Sequence, residues 1–223
     1  MGVVQLRNEA IVSRPLDVQG SLRMRIARIS ENTFWVVTPE RVRRNSRIPD
    51  TTEDDWIIEA IESAHEYIEE YLGCCIAMAD YRMTLDRFPR KRGSIDLPVW
   101  PVKEVASVQY VDPTGAVQSI ELDKIVQPAD NGRFSLRLKD HECFPSTRAT
   151  PNAVSITFTA GWSEVEKVPK TLTRAALMLT SHWYENRETV LIGTISKEIE
   201  HGTVAMLEQL RPAEDYTAGE VCE

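Results

Sequence analysis

The side chains able to do chemistry are few and scattered. Four histidines, His65, His141, His182 and His201, fall on different predicted elements. None has a second histidine at the spacing that would put two imidazoles on one metal ion. The four cysteines, Cys74, Cys75, Cys143 and Cys222, contain no Cys-x-x-Cys pair. A zinc site and a dithiol redox centre both lack their usual spacing, so reduced thiols in a cytoplasmic protein are expected. Adjacent Cys74 and Cys75 read as small apolar residues just after a helix. Glu198 and Glu200 lie on a segment without the periodicity that would hold an acid–base pair in place. There is no Gly-x-Ser-x-Gly elbow, no phosphate loop and no Gly-x-Gly-x-x-Gly turn. No catalytic residue, metal ligand or cofactor is assigned, and no enzyme activity is expected.

What the chain does concentrate is charge. Residues 1–50 hold nine arginines, no lysine and five acids, whereas residues 51–72 hold eight acids and no lysine or arginine. The middle, 73–170, has 13 bases and 12 acids, and residues 171–223 have four bases and nine acids. At about 100° per residue, Asp55, Glu59, Glu62, Glu66, Glu69 and Glu70 fall in one wedge opposite the apolar residues of the same segment. Two uses fit such a wedge: solvation of a surface helix, or repulsion of something anionic. His65 borders the apolar side near Glu62 and Glu69 and is expected as a charge-paired surface histidine. His182, preceding Trp183, is expected as a hydrogen-bonded interior or capping residue.

The elements that must position these groups follow from period and punctuation. The chain has 223 residues, 42% of them hydrophobic, with a net charge of −8. That is core-forming material for one large domain or two small ones, and it excludes a disordered acidic protein. No stretch approaches the ~20 apolar residues of a bilayer span, so no membrane partner is expected. The arginine-bearing start lacks a continuous apolar run, so no secretory leader is expected. An acidic balance also argues against a protein built mainly to grip nucleic acid, although the early arginines suit phosphate or an acidic partner surface.

Along the chain, Leu22, Met24 and Ile26 alternate with Arg23 and Arg25 and suggest a short strand. Thr38-Pro39-Glu40 reads as the start of a short basic helix ending before Pro49. Thr52 and Asp55 resemble a capping box for a helix through Trp56, Ile57, Ile61, Ala64, Ile68 and Leu72, closed by Gly73. From 79 to 164 the period changes to two. Tyr81–Leu85, Ile95–Leu97, Val105–Val111, Val117–Leu122, Phe134–Leu138 and Val154–Phe158 read as strands, with Asp112-Pro113-Thr114-Gly115 turning a hairpin. Pro169 then opens a helix through Leu172, Ala176, Leu179 and Trp183. Residues 187–200 look extended around Gly193, and a last helix spans about Thr203 to Leu210. The expected fold is α+β: a small helical bundle with an inserted antiparallel β-sheet or barrel-like segment, in which the second and third helices pack together. The organisation reads as an N-terminal extension (1–37), a helical part (38–78), a β insertion (79–164), a second helical part (165–212) and a flexible tail (213–223).

Several blocks have a familiar order. The acidic helix Asp54–Gly73 is followed by Ile95-Asp96-Leu97-Pro98-Val99-Trp100-Pro101-Val102 and Val108–Asp112. Then come Pro151-Asn152-Ala153-Val154, Phe158-Thr159-Ala160-Gly161 and His182-Trp183-Tyr184-Glu185-Asn186-Arg187-Glu188. Over residues 38–212 this resembles the head–tail connector, adaptor or head-completion proteins of tailed double-stranded DNA phages and gene transfer agents.

The resemblance implies a non-enzymatic ring, usually of twelve copies, docked beneath the portal in the neck of the virion and present in host cytoplasm during assembly. Its implied partners are other copies of itself, the portal, a stopper or tail-completion protein, and packaged DNA passing without specific binding. It implies portal contact through Met206, Leu207, Leu210 and Arg211, and the acidic wedge is expected to face the DNA channel. A DNA-binding protein using the Arg-rich start, and a neighbouring neck ring such as a stopper or tail terminator, are the alternatives; a small hydrolase on the β insertion ranks last.

Overall fold

The longest helix forms where the 3.6-residue period is longest. In the computed structural model, which describes residues 24–89, 93–126, 129–130, 133–139, 142–186 and 195–211, helix α2 spans Asp54–Leu72. It buries Ile57, Ile61, Ala64, Ile68 and Leu72 on one side, and Gly73 ends it in the left-handed region at φ +64°. Its start differs from the expected capping box. The flanking residue is Glu53, which makes no side-chain cap, while the Thr52 N–H donates to Asp50 Oδ1 at 3.0 Å in a local turn. The preceding helix α1, Pro39–Ser46, is capped as its sequence suggests: Thr38 Oγ1 accepts from the Arg41 N–H at 3.4 Å and Pro39 opens the first turn.

Helix α3, Lys170–Glu185, packs against α2, and α4, Ile195–Glu208, packs on both. The expected extended run of 187–200 is therefore corrected at its end. Ile195 onward is helical, and α4 begins eight residues before Thr203; residues 187–194 lie outside the described residues. The sequence signal failed because Gly202 sits inside this helix and hides its period. Asn45 Nδ2 donates to Ser181 Oγ at 2.9 Å, fastening α1 to α3.

The described residues form nine strands: β1 Met24–Arg28, β2 Ala79–Leu85, β3 Ile95–Leu97, β4 Val102–Val111, β5 Val117–Ile120, β6 Ile125–Val126, β7 Ala129–Asp130, β8 Arg133–Leu138 and β9 Val154–Ala160. They form an antiparallel five-stranded sheet of order β1-β2-β9-β4-β5 and a smaller sheet in which β8 pairs with β3, β6 and β7. Neither closes into a barrel. In β2 and β9 every second residue is buried, from Tyr81, Met83 and Leu85 to Val154, Ile156, Phe158 and Ala160. Leu97, Ile125 and Leu136 of the smaller sheet pack on that same face. The short strand β1 pairs Met24 with Leu85 and Arg28 with Tyr81, so a segment expected as an N-terminal extension forms one edge of the main sheet.

Two hydrophobic cores result, one helical and one within the β part, and the chain crosses between them at Cys74 and Cys75. The first side chain enters the helical core and the second enters the β core. Trp100 and Trp162 meet edge-to-face there, 5.9 Å between centroids, and Trp100 Nε1 donates to the Leu72 carbonyl at 3.0 Å. Among the described residues no helix is long and apolar enough to cross a membrane.

Candidate functional site

The acidic helix presents its carboxylates unevenly. Asp55, Glu59, Glu66 and Glu70 are exposed and Glu62 is half-buried. Glu69, placed by the sequence in the same wedge, turns instead into the junction between the two cores. Its side chain accepts from the Ile76 N–H at 2.7 Å and pairs with Arg28 at 3.3 Å. Burial raises the Glu69 pKa against the pull of Arg28. Asp54, at the start of the helix, is paired with Arg43.

The C-terminal group is also split. Leu207 is fully buried in the helical core, Met206 and Leu210 are half-buried, and only Arg211 is exposed. Arg211 Nη2 donates to the Tyr71 carbonyl at 3.1 Å, and its guanidinium lies 5.1 Å from the Tyr71 ring centroid. The Tyr71 hydroxyl in turn donates to Glu208, which raises its pKa. Leu207 thus packs within the chain's own helical core.

Sequence reasoning missed the polar junction beside these elements. His65 is 1% exposed, not a surface residue. Its Nε2 accepts from the Val36 N–H at 3.1 Å, and the ring meets Trp35 edge-on at 4.8 Å. Burial, aided by Arg28, lowers its pKa to about 4, so the neutral ring is the folded form. The available signal was its spacing, four residues after Ile61 and three before Ile68, which places it on the buried side. Arg28 extends from β1 across the same junction to Asn32, to Cys75 Sγ at 3.7 Å and to the Ala77 carbonyl at 3.4 Å. Burial pushes the Cys75 thiol up to about 12, which leaves it inert rather than nucleophilic.

His182 sits at the C-terminal end of α3, where its carbonyl accepts from the Asn186 N–H at 2.9 Å. His141, the side chains of His201, Glu198 and Glu200, and Cys222 lie outside what is described; Cys143 is exposed. Among the described residues no three His, Cys, Asp or Glu side chains converge as metal ligands. A cavity of about 500 Å³ lies between the α1–α2 turn, with Arg47, Asp50 and Glu53, and Tyr184. The Tyr184 hydroxyl there donates to Glu53. The features that remain are surfaces: an arginine-bearing α1, an acidic α2 and a C-terminal helix already docked on its own bundle.

Residues 36–202 match the family model described as HCP, head completion protein. No curated protein is recognisably similar to the chain. Among solved structures, a chain in the neck of an empty gene transfer agent particle computed with C6 symmetry shares its fold at a TM-score of 0.70 and 19% identity, over 86% of this chain and 98% of that one. A chain in the virion of a native gene transfer agent particle matches at 0.69, with the same identity and coverage. One in the neck of a native particle computed with C12 symmetry matches at 0.58 and 19% identity, over 84% and 97%.

Proposed function

The chain belongs to the head completion protein family, and from that premise we propose that it is a structural neck protein of a virion-type particle. In this reading it forms a ring beneath the portal, completes the packaged head, borders the path of the DNA and gives a stopper or tail-completion protein its seat. The observation that carries the reading is the agreement of a family match over 36–202 with a shared fold over 98% of a neck chain. The C6 and C12 symmetries of those particles' necks support a ring of like copies. A net charge of −8 suits a wall past which a polyanion slides without sticking.

Mixing the chain with portal particles and imaging them by electron microscopy tests this. A ring on the outer end of the portal is expected, and bare portals at saturating protein overturn it. If the Arg-rich start made the protein a DNA binder instead, the isolated chain would hold duplex DNA with a steep salt dependence.

A further inference from the structure

Resting on the ring reading, we propose that the arginine face of α1 in one copy docks on the acidic face of α2 in the next. One chain then carries both halves of a head-to-tail contact.

The arginine face is defined by what α1 buries. Val42 is its buried residue; Arg41, Arg44 and the capping Arg47 are exposed. Arg43 is already engaged by Glu40 and Asp54. On α2 the matching set is Asp55, Glu59, Glu62 and Glu66, on the side away from Ile57, Ile61 and Ile68. Among the described residues none of these seven side chains has an ion pair.

Both faces point away from the core their helices share, so the complement of each comes from another molecule. Two different surfaces on one chain make a heterologous contact, the kind that closes into rings. Copies carrying −8 each repel unless such local complements draw them together. Duplex DNA is a poorer occupant of the arginines, because the eight acids of residues 51–72 follow α1 directly and oppose a polyanion there. On this assignment the α2 acids meet a neighbour, rather than lining the channel bare as their sequence pattern suggests.

Charge exchange tests it on the full chain with portal. Arg41→Glu with Arg44→Glu, and separately Glu59→Lys with Glu66→Lys, should each need at least about tenfold more protein to form rings, since like charges then face each other. Mixed in equal amounts, the two variants should assemble at the wild-type level, because alternating copies restore both contacts. Circular dichroism identical to wild type certifies each variant as folded. Rings from either variant alone at wild-type concentration, or folded variants that fail to complement when mixed, overturn the interface. Failure of the wild-type chain itself to form rings overturns the neck reading instead.

Discussion

One ring nitrogen of His65 holds the segment after β1 onto the acidic helix, and its chemistry makes that hold pH-dependent. The neutral imidazole accepts from the Val36 N–H; a protonated ring has no lone pair there and would sit near Arg28. Because the folded pKa, about 4, lies below the ordinary value of 6.5, the unfolded chain takes up the proton first as pH falls. The stabilisation is complete above pH 6.5 and is lost progressively down to about pH 4, amounting to about 3 kcal/mol. Glu69 acts with the opposite sign: its raised pKa costs stability where the carboxylate is charged, and protonation relieves that cost. His65→Gln keeps an acceptor for Val36 but cannot titrate. Its urea-unfolding free energy relative to wild type should therefore rise by about 3 kcal/mol between pH 7 and pH 4, and a constant difference would refute this. At this scale the sequence misleads where two neighbours compete. Glu62 and Glu69 flank His65 and suggested a surface charge pair, yet Ile61 and Ile68 set the side it faces.

Among elements, the end of β9 at Gly161 lies against the backbone of Ala77 and Met78 and leaves no room for a side chain. Gly161 has φ +105°, and a Cβ there would lie 2.8 Å from the Ala77 carbonyl oxygen and 2.9 Å from Met78 Cα. Neither is a flexible side-chain end, so Gly161→Ala should cost about 2–4 kcal/mol by thermal or urea unfolding. Gly202, inside α4, has nothing within 4 Å of the same position. Gly202→Ala should stabilise by up to about 1 kcal/mol through helix propensity alone. If the two alanine variants shift stability alike, the crowded junction is not what Gly161 serves. The long helices and the strands with clean alternation were legible from period. Harder to see were β6 and β7, each two residues long and held by pairing with β8. The start of α2 was also misread, because Asp50 turns the chain where Thr52 was expected to cap it. Tertiary pairing and local turn chemistry decided these cases, and neither has a period.

At the level of the whole molecule, the charge map was readable in the sequence, but which charges are already spent was not. Arg28 joins a sheet edge to Glu69 of the helical part, so strand β1 ties the β part to the bundle across a boundary that period and punctuation place near residue 37. The same accounting bears on portal contact. Of the four residues assigned to it, Leu207 is sealed in the core, Leu210 packs against that core, and Arg211 is held by Tyr71 and Glu208. The described end of the chain therefore offers a partner little apolar surface without lifting α4 from the bundle, which would expose Leu207 at a cost of about 2–3 kcal/mol. The segment after Arg211 carries Glu214, Asp215, Glu220 and Glu223 with no lysine or arginine. Deleting residues 212–223 should leave the unfolding free energy within about 0.5 kcal/mol of wild type. It should also abolish co-sedimentation with portal particles. A truncated chain that still co-sediments at wild-type affinity would place the portal contact elsewhere on the molecule.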